Sequence, residues 1–252
     1  MAIFVGTAGW SIPRDIADRF PADGTALERY STAFDGAEIN SSFHRPHRIS
    51  TWERWRDSVP DHFRFSVKIP KLITHTRKLV DCDAELDLFV EEASTLGDKL
   101  AVLLVQLPPK HSFDKVVAGT FFRSLLARTS AAVVCEPRHV SWFTAEADDL
   151  LRDLEVSRVA ADPAIYPAAE TAGGWTGLSY WRLHGSPIIY RSSYRDRVEA
   201  YAAKLQNDEA SGREVWCIFD NTASSAGAGD ALALLDVLHG GSGNQGRGFG
   251  QP

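Results

Sequence analysis

Ala101-Val102-Leu103-Leu104-Val105 runs into Gln106-Leu107-Pro108-Pro109; after residues 115–126 comes Ala132-Val133-Val134-Cys135, which runs into Glu136-Pro137-Arg138-His139. Short apolar runs rich in β-branched residues read as buried strands, and the segment between them carries the periodicity of a helix. Two strands joined through a helix make a βα unit, and repeated βα units give a parallel sheet.

The pattern extends outward in both directions. Comparable runs occupy residues 3–5, 37–39 and 63–67 upstream and 156–160, 178–183 and 215–219 downstream, which makes eight in all. Helical periodicity covers residues 26–34, 84–96, 145–154, 195–206 and 230–238. Eight strands can form a barrel or an open doubly wound sheet. Polar residues follow nearly every run, whereas an open sheet concentrates them at one crevice, so the expected fold is a single-domain α/β chain of the (β/α)₈ TIM-barrel type. Residues 163–177, rich in Ala, Gly and Pro, read as an irregular loop, which leaves the sixth helix the least defined element. From Gly240 the chain is glycine-rich without apolar periodicity, so the expected division is a barrel domain over 1–239 and a flexible tail over 240–252.

With 252 residues, 44% of them hydrophobic, the chain is long enough to bury a substantial core. A net charge of −6 argues against general binding to nucleic acid or anionic membrane, because affinity for phosphate backbones rests on clustered Lys and Arg. No apolar run approaches a membrane span and no signal-peptide pattern opens the chain, so a cytoplasmic location is expected. Cys82, Cys135 and Cys217 show no metal or redox spacing; Cys135 and Cys217 lie in apolar runs and read as inert core thiols, and Cys82 lies in a polar connection.

In a barrel the functional groups stand where strands end. After the first run comes Trp10; Glu38 and Asn40 belong to the second; Lys68 and then His75 follow the third; Gln106 closes the fourth. Glu136, Arg138 and Trp142 follow the fifth, Asp162 the sixth, Arg182 and His184 the seventh, Asn221 the eighth. These residues suit an enzyme, of hydrolase, lyase or isomerase type, acting by acid–base chemistry on a small polar, phosphorylated or sugar-like substrate. Glu38, Lys68, His75, Glu136 and His184 are its catalytic candidates; Trp10, Asn40, Gln106, Arg138, Trp142, Asp162, Arg182 and Asn221 are candidates for substrate binding. Equally, Glu38 with Lys68 or Glu136 with Arg182 can be structural ion pairs. His62, His111 and His239 have no polar company and read as surface or loop residues.

Ser224-Ser225-Ala226-Gly227-Ala228-Gly229 resembles a phosphate-binding loop before a helix, but Asp230, expected at the N-cap, would repel an anion. Glu136, Asp162, His75 and His184 are ligand types that a divalent metal accepts, although no spacing requires one and no cofactor is expected. No Walker loop, nucleophile elbow or dinucleotide fingerprint is present. The alternative is a non-catalytic protein that binds a metabolite or nucleic acid by charge and stacking; a structural partner protein ranks last. A small-molecule ligand is the expected partner.

Gly6-Thr7-Ala8-Gly9-Trp10, Glu38-Ile39-Asn40-Ser41-Ser42-Phe43, Phe65-Ser66-Val67-Lys68 with Ile73-Thr74-His75, Gln106-Leu107-Pro108-Pro109, Glu136-Pro137-Arg138-His139 with Ser141-Trp142, Arg182-Leu183-His184-Gly185 and Phe219-Asp220-Asn221-Thr222 occur in an order that resembles the YecE-like family, domain of unknown function 72. The resemblance runs from Ile3 to Leu238 and implies a (β/α)₈ barrel without supplying a reaction. Against the family pattern, His44 stands for a Tyr, Pro137 interrupts Glu-Phe-Arg, and Asp220 replaces an Asn.

Overall fold

Proline stops several strands where their polar residues stand. Lys68 is followed after one residue by Pro70, Gln106 by Pro108, Glu136 directly by Pro137 and Asp162 by Pro163. A residue without a backbone N–H cannot continue a ladder, so pairing ends there and the last polar side chain is left at the strand exit.

The computed structural model describes residues 2–240, so the tail expected beyond Gly240 lies outside the described residues. Strands and helices alternate: β1 (Ile3–Thr7), α1 (Ala26–Tyr30), β2 (Gly36–Ile39), α2 (Ile49–Asp57), β3 (Arg64–Lys68), α3 (Asp83–Ser94), β4 (Leu100–Gln106), α4 (Lys115–Leu126), β5 (Ala132–Glu136) and α5 (Ala145–Asp153). Then come β6 (Val156–Arg158), β7 (Ala160–Asp162), β8 (Gly173–Gly174), β9 (Leu178–Leu183), α6 (Val198–Ala210), β10 (Glu214–Phe219) and α7 (Ala226–Gly240). The result is one α/β domain. Several helix starts are capped by side chains: Thr25 and Glu28 form a capping box on α1, and Asp114 accepts from Val116 N and Val117 N on α4.

The strands form two sheets, β1-β10-β9-β7 and β2-β3-β4-β5-β6-β8, parallel throughout except for β8 on β6. Their edges meet in two places. Beyond β1, Ala8 bridges Glu38, and Gly9 N donates to Glu38 O at 2.8 Å. Lower down, the Tyr30 hydroxyl from α1 enters the gap: it accepts from Thr7 N at 2.8 Å and donates to Gly36 O at 3.2 Å. At the other junction only Val159 separates β6, which pairs with β5, from β7, which pairs with β9. The single run expected over 156–160 is thus two strands, because the segment changes partners midway.

Two apolar clusters lie on opposite faces of the strands. The larger packs strands against helices, with Leu103, Val105, Val133, Cys135, Val215, Cys217 and Phe219 among its strand members. The smaller holds the alternate residues Val102, Leu104, Val134, Val159, Leu178, Tyr180, Trp216 and Ile218. Side chains alternate across a strand, so both faces of these strands are covered.

Several expectations need correction. Helix α2 was not expected; it is short and mostly polar, and only Trp52 among its residues is buried. Asp230 does not cap α7 but lies inside it, accepting from Ser193 Oγ, from Tyr194 N and from Asn221 Nδ2. Gly240 is the last residue of α7 rather than the first of a tail. Cys82, read as lying in a polar connection, and His111, read as a surface or loop residue, are both buried, with Cys82 in the main core and His111 in a loop. Residues 163–177 hold only a short 3₁₀ turn and β8, close to the irregular loop expected. Among the described residues no helix is long and apolar enough to cross a membrane.

Candidate active site

The face that carries the smaller cluster turns polar toward the strand exits. Val102 and Leu104 lead by steps of two to Gln106, Val134 to Glu136, Tyr180 to Arg182 and His184, Ile218 to Asp220, and Ser66 to Lys68. Beneath this layer Trp216 stacks on Phe4 at 4.7 Å and on Tyr180 at 6.0 Å between ring centroids.

Arg182 is the hub. Its side chain is fully buried, and every guanidinium nitrogen meets a carboxylate: Nε and Nη2 donate to Glu38 at 3.0 and 2.7 Å, Nη1 to Glu136 Oε2 at 2.5 Å, and Nη2 to Asp220 Oδ2 at 3.0 Å. Burial disfavours its charge, but the three carboxylates outweigh burial and hold the guanidinium well above its ordinary pKa. The Tyr180 hydroxyl is hydrogen-bonded to Glu38 Oε2 at 2.9 Å and to Ser66 Oγ at 2.8 Å, which saturates Glu38 further.

His184 lies between two carboxylates, with Nδ1 at 3.0 Å from Asp220 Oδ2 and Nε2 at 3.2 Å from Glu136 Oε1. Carboxylates only accept, so both ring nitrogens are required as donors, which is the protonated form. Burial works against that charge, yet Glu136 and Asp220 raise the imidazole pKa above 6.5. Burial likewise opposes the Glu136 charge, and Arg182, Arg138 and His184 overcome it, leaving the carboxyl well below 4.5. Asp220 is lowered for the same reasons, with Arg182 foremost among the opposing charges. Arg138 reaches back past Pro137 to place Nε and Nη2 at 3.1 and 2.9 Å from Glu136 Oε1. Its Nη1 makes no hydrogen bond among the described residues, and its side chain is 23% exposed.

Lys68 differs from every other charge here. Its amine is buried, sits 4.3 Å from the centre of the Phe43 ring, and has no hydrogen bond or ion pair among the described residues. Burial and the neighbouring Arg182 together push its pKa down to about 8, against the pull of Glu38, Glu136 and Asp220. Next to it, His75 stands in a wide turn over Leu72–Thr76, with Nδ1 2.9 Å from Thr74 Oγ1; burial and Lys68 push its pKa down to about 4. Above the layer lies a cleft of about 490 Å³ whose polar lining includes Glu136, Arg138 and His184.

Of the residues singled out from sequence, Glu38, Lys68, Glu136, Arg138, Arg182 and His184 meet in this layer. Gln106 lies beside Glu136 in strand register, and His75 stands at the rim. Asn40 follows at the exit of β2 with Oδ1 buried and unpartnered among the described residues. Four others point elsewhere. Asn221 is one step out of phase with the inner face and turns to Ser192 O and Asp230. Asp162 is out of phase with Ala161 and binds Arg197 at 3.2 Å and the Tyr201 hydroxyl. Trp142 is fully buried, with its indole N–H given to His111 O at 3.0 Å, and so offers no face to a ligand. Trp10 packs edge-on against Trp55 at 5.2 Å and against Phe65. Asp162 also leaves the proposed metal set, and both nitrogens of His184 are engaged. Asp220, Tyr180 and Ser66 were not named as site residues, although counting by two from Ile218, Arg182 and Lys68 finds them.

The model of the family described as protein of unknown function DUF72 matches residues 4–247. The chain belongs to the DUF72 family. UPF0759 protein YecE of Escherichia coli strain K12 is 30% identical over 173 residues, which cover 66% of this chain and 61% of YecE. UPF0759 protein YunF of Bacillus subtilis is 27% identical over 150 residues, covering 56% of this chain and 52% of YunF. The chain therefore spans between half and two thirds of these relatives. Among solved structures, a DUF72 protein from Enterococcus faecalis superposes with TM-score 0.78 at 18% identity, covering 94% of this chain and 96% of that one. One from Thermotoga maritima gives 0.72 at 20% identity over 95% and 100% of the two chains. At such identities the DUF72 structures speak for the fold alone.

Proposed function

We propose that the two sheets form one closed (β/α)₈ barrel over residues 1–239, and that the polar layer is the active site of an enzyme moving protons on a small anionic metabolite. Closure is supported by the two junctions and by the smaller apolar cluster, which has the position of a barrel interior. The three buried thiols, none in a disulfide, fit a reducing compartment such as the cytoplasm.

The observation that carries the function is Lys68. Arg182, Arg138, His184 and Lys68 provide four cations against the three carboxylates Glu38, Glu136 and Asp220, and only Lys68 has no counter-ion in direct contact. An excess buried cation is costly unless a ligand brings the missing negative charge. With a pKa of about 8, roughly a tenth of Lys68 is the free amine at neutral pH, far more than for an ordinary lysine, so it is suited to accept and return a proton. Arg138 Nη1, the guanidinium nitrogen that Glu136 does not engage, supplies a donor for an oxygen of a phosphate or carboxylate. The saturated Arg182 network holds these groups still rather than reacting, as electrostatic preorganisation requires.

The test is a panel of phosphorylated sugars and hydroxy acids, read by thermal shift and by mass spectrometry of the products. Anionic members should stabilise the protein, and Lys68→Met should retain the fold while losing turnover. Stabilisation by neutral or cationic members only would overturn the anionic assignment, and unchanged turnover in Lys68→Met would remove Lys68 as the proton carrier. Ligand-induced stabilisation without any product would favour a metabolite-binding protein.

A further inference from the structure

We infer that the mouth cleft takes an anion carrying an apolar or aromatic arm, an inference that rests on the anionic reading of the site and narrows it. The cleft's charged groups are confined to its floor, whereas its walls are apolar and prolyl. Two loops build those walls, and each contributes an Ile-Tyr pair: Ile165-Tyr166 from the connection after β7, and Ile189-Tyr190 from the connection after β9. Ile165 and Ile189, which line the cleft, are each 49% exposed. Isoleucines left in water at a cleft rim are unfavourable, and such rims mark ligand sites. A fully hydroxylated sugar would leave these walls without a complementary surface; a ring or alkyl arm would cover them.

The β9 loop is built to hold this wall. Gly185 takes a φ of +96°, and a Cβ there would lie 2.9 Å from Ile188 O, so the chain can fold back only through glycine. Tyr190, at a φ of +65°, occupies the left-handed region that a bulky residue rarely adopts, and its backbone N–H is tied to His184 O. Its ring thereby stands edge-on to His184 at 6.0 Å between centroids, directly over the charged floor. Backbone held against its preference is found where a side chain must be aimed. The arrangement is polar below and aromatic above, with Arg138 Nη1 free to take one anionic oxygen.

Calorimetry on the whole chain with two matched pairs, phenylphosphonate against methylphosphonate and benzoate against acetate, isolates the arm from the head group. The aryl member should bind on the order of tenfold tighter or more, and Ile165→Ser with Ile189→Ser should remove that advantage while leaving the small anion's affinity in place. Equal affinity within both pairs would overturn the apolar arm and leave the anionic site standing. An aryl preference that survives in Arg138→Met with undiminished affinity would overturn the anionic head and keep the arm. If neither pair binds, both readings fall.

Discussion

At the scale of single residues, the titration of Lys68 makes a specific demand on stability. Its pKa is lowered from 10.5 to about 8 on folding, chiefly by burial and then by Arg182. A lysine whose folded pKa is depressed destabilises the fold while it is charged. That penalty is complete below pH 8 and disappears as pH rises toward 10.5, where both states have lost the proton. Lys68→Met should therefore raise stability at pH 7 by about 1–3 kcal/mol, with the gain shrinking between pH 8 and 10.5. Paired urea titrations at pH 7 and pH 10 check this; a loss of stability at pH 7 would mean that the amine has a partner. The same scale explains which site residues the sequence could yield. Glu136, Arg182 and His184 stand out because charges at the end of an apolar run are conspicuous. Choosing Asp220 over Asn221, or rejecting Asp162, depends on strand phase, and a phase error of one residue turns a side chain from the inner face to the helix layer.

At the scale of elements, the junction of β1 and β2 is the weak seam. Gly6 and Gly36 face each other so closely that a Cβ on Gly6 would lie 2.1 Å from Gly36 O. The Tyr30 hydroxyl bridges the seam where ladder hydrogen bonds are missing, and burial raises its pKa. Tyr30→Phe should cost about 1–3 kcal/mol by leaving Thr7 N and Gly36 O unsatisfied. Gly6→Ala should cost more, because strand must move rather than side chain. Differential scanning calorimetry of both variants checks the order, and equal or negligible losses would show that the seam does not hold the sheets together. Neither glycine can be recognised in sequence as a contact point, since only the partner strand gives it meaning. The strands themselves were readable because each is a short apolar block bounded by turn residues. Helix α2 was not, because its exposed face leaves Trp52 as the sole buried residue.

For the whole molecule, Arg182 ties β9 to the ends of β2, β5 and β10. Removing it leaves carboxylates buried without their counter-ion. Arg182→Met should accordingly destabilise the protein by about 3–5 kcal/mol, and Arg182→Lys should rescue little, because an ammonium cannot reproduce the planar fork. Chemical denaturation measures both, and a near-neutral Arg182→Met would mean that the network opens to water. The hub also sets a timetable. Glu38 and its partner Arg182 are 144 residues apart, so on a ribosome adding about 5–20 residues each second Glu38 waits roughly 7–30 seconds for its cation. Until then the Glu38 carboxylate, which loses its hydration on burial, is without the cation that offsets the loss. Burying the end of β2 in the polar layer is therefore least costly once the strand that carries Arg182 has been made.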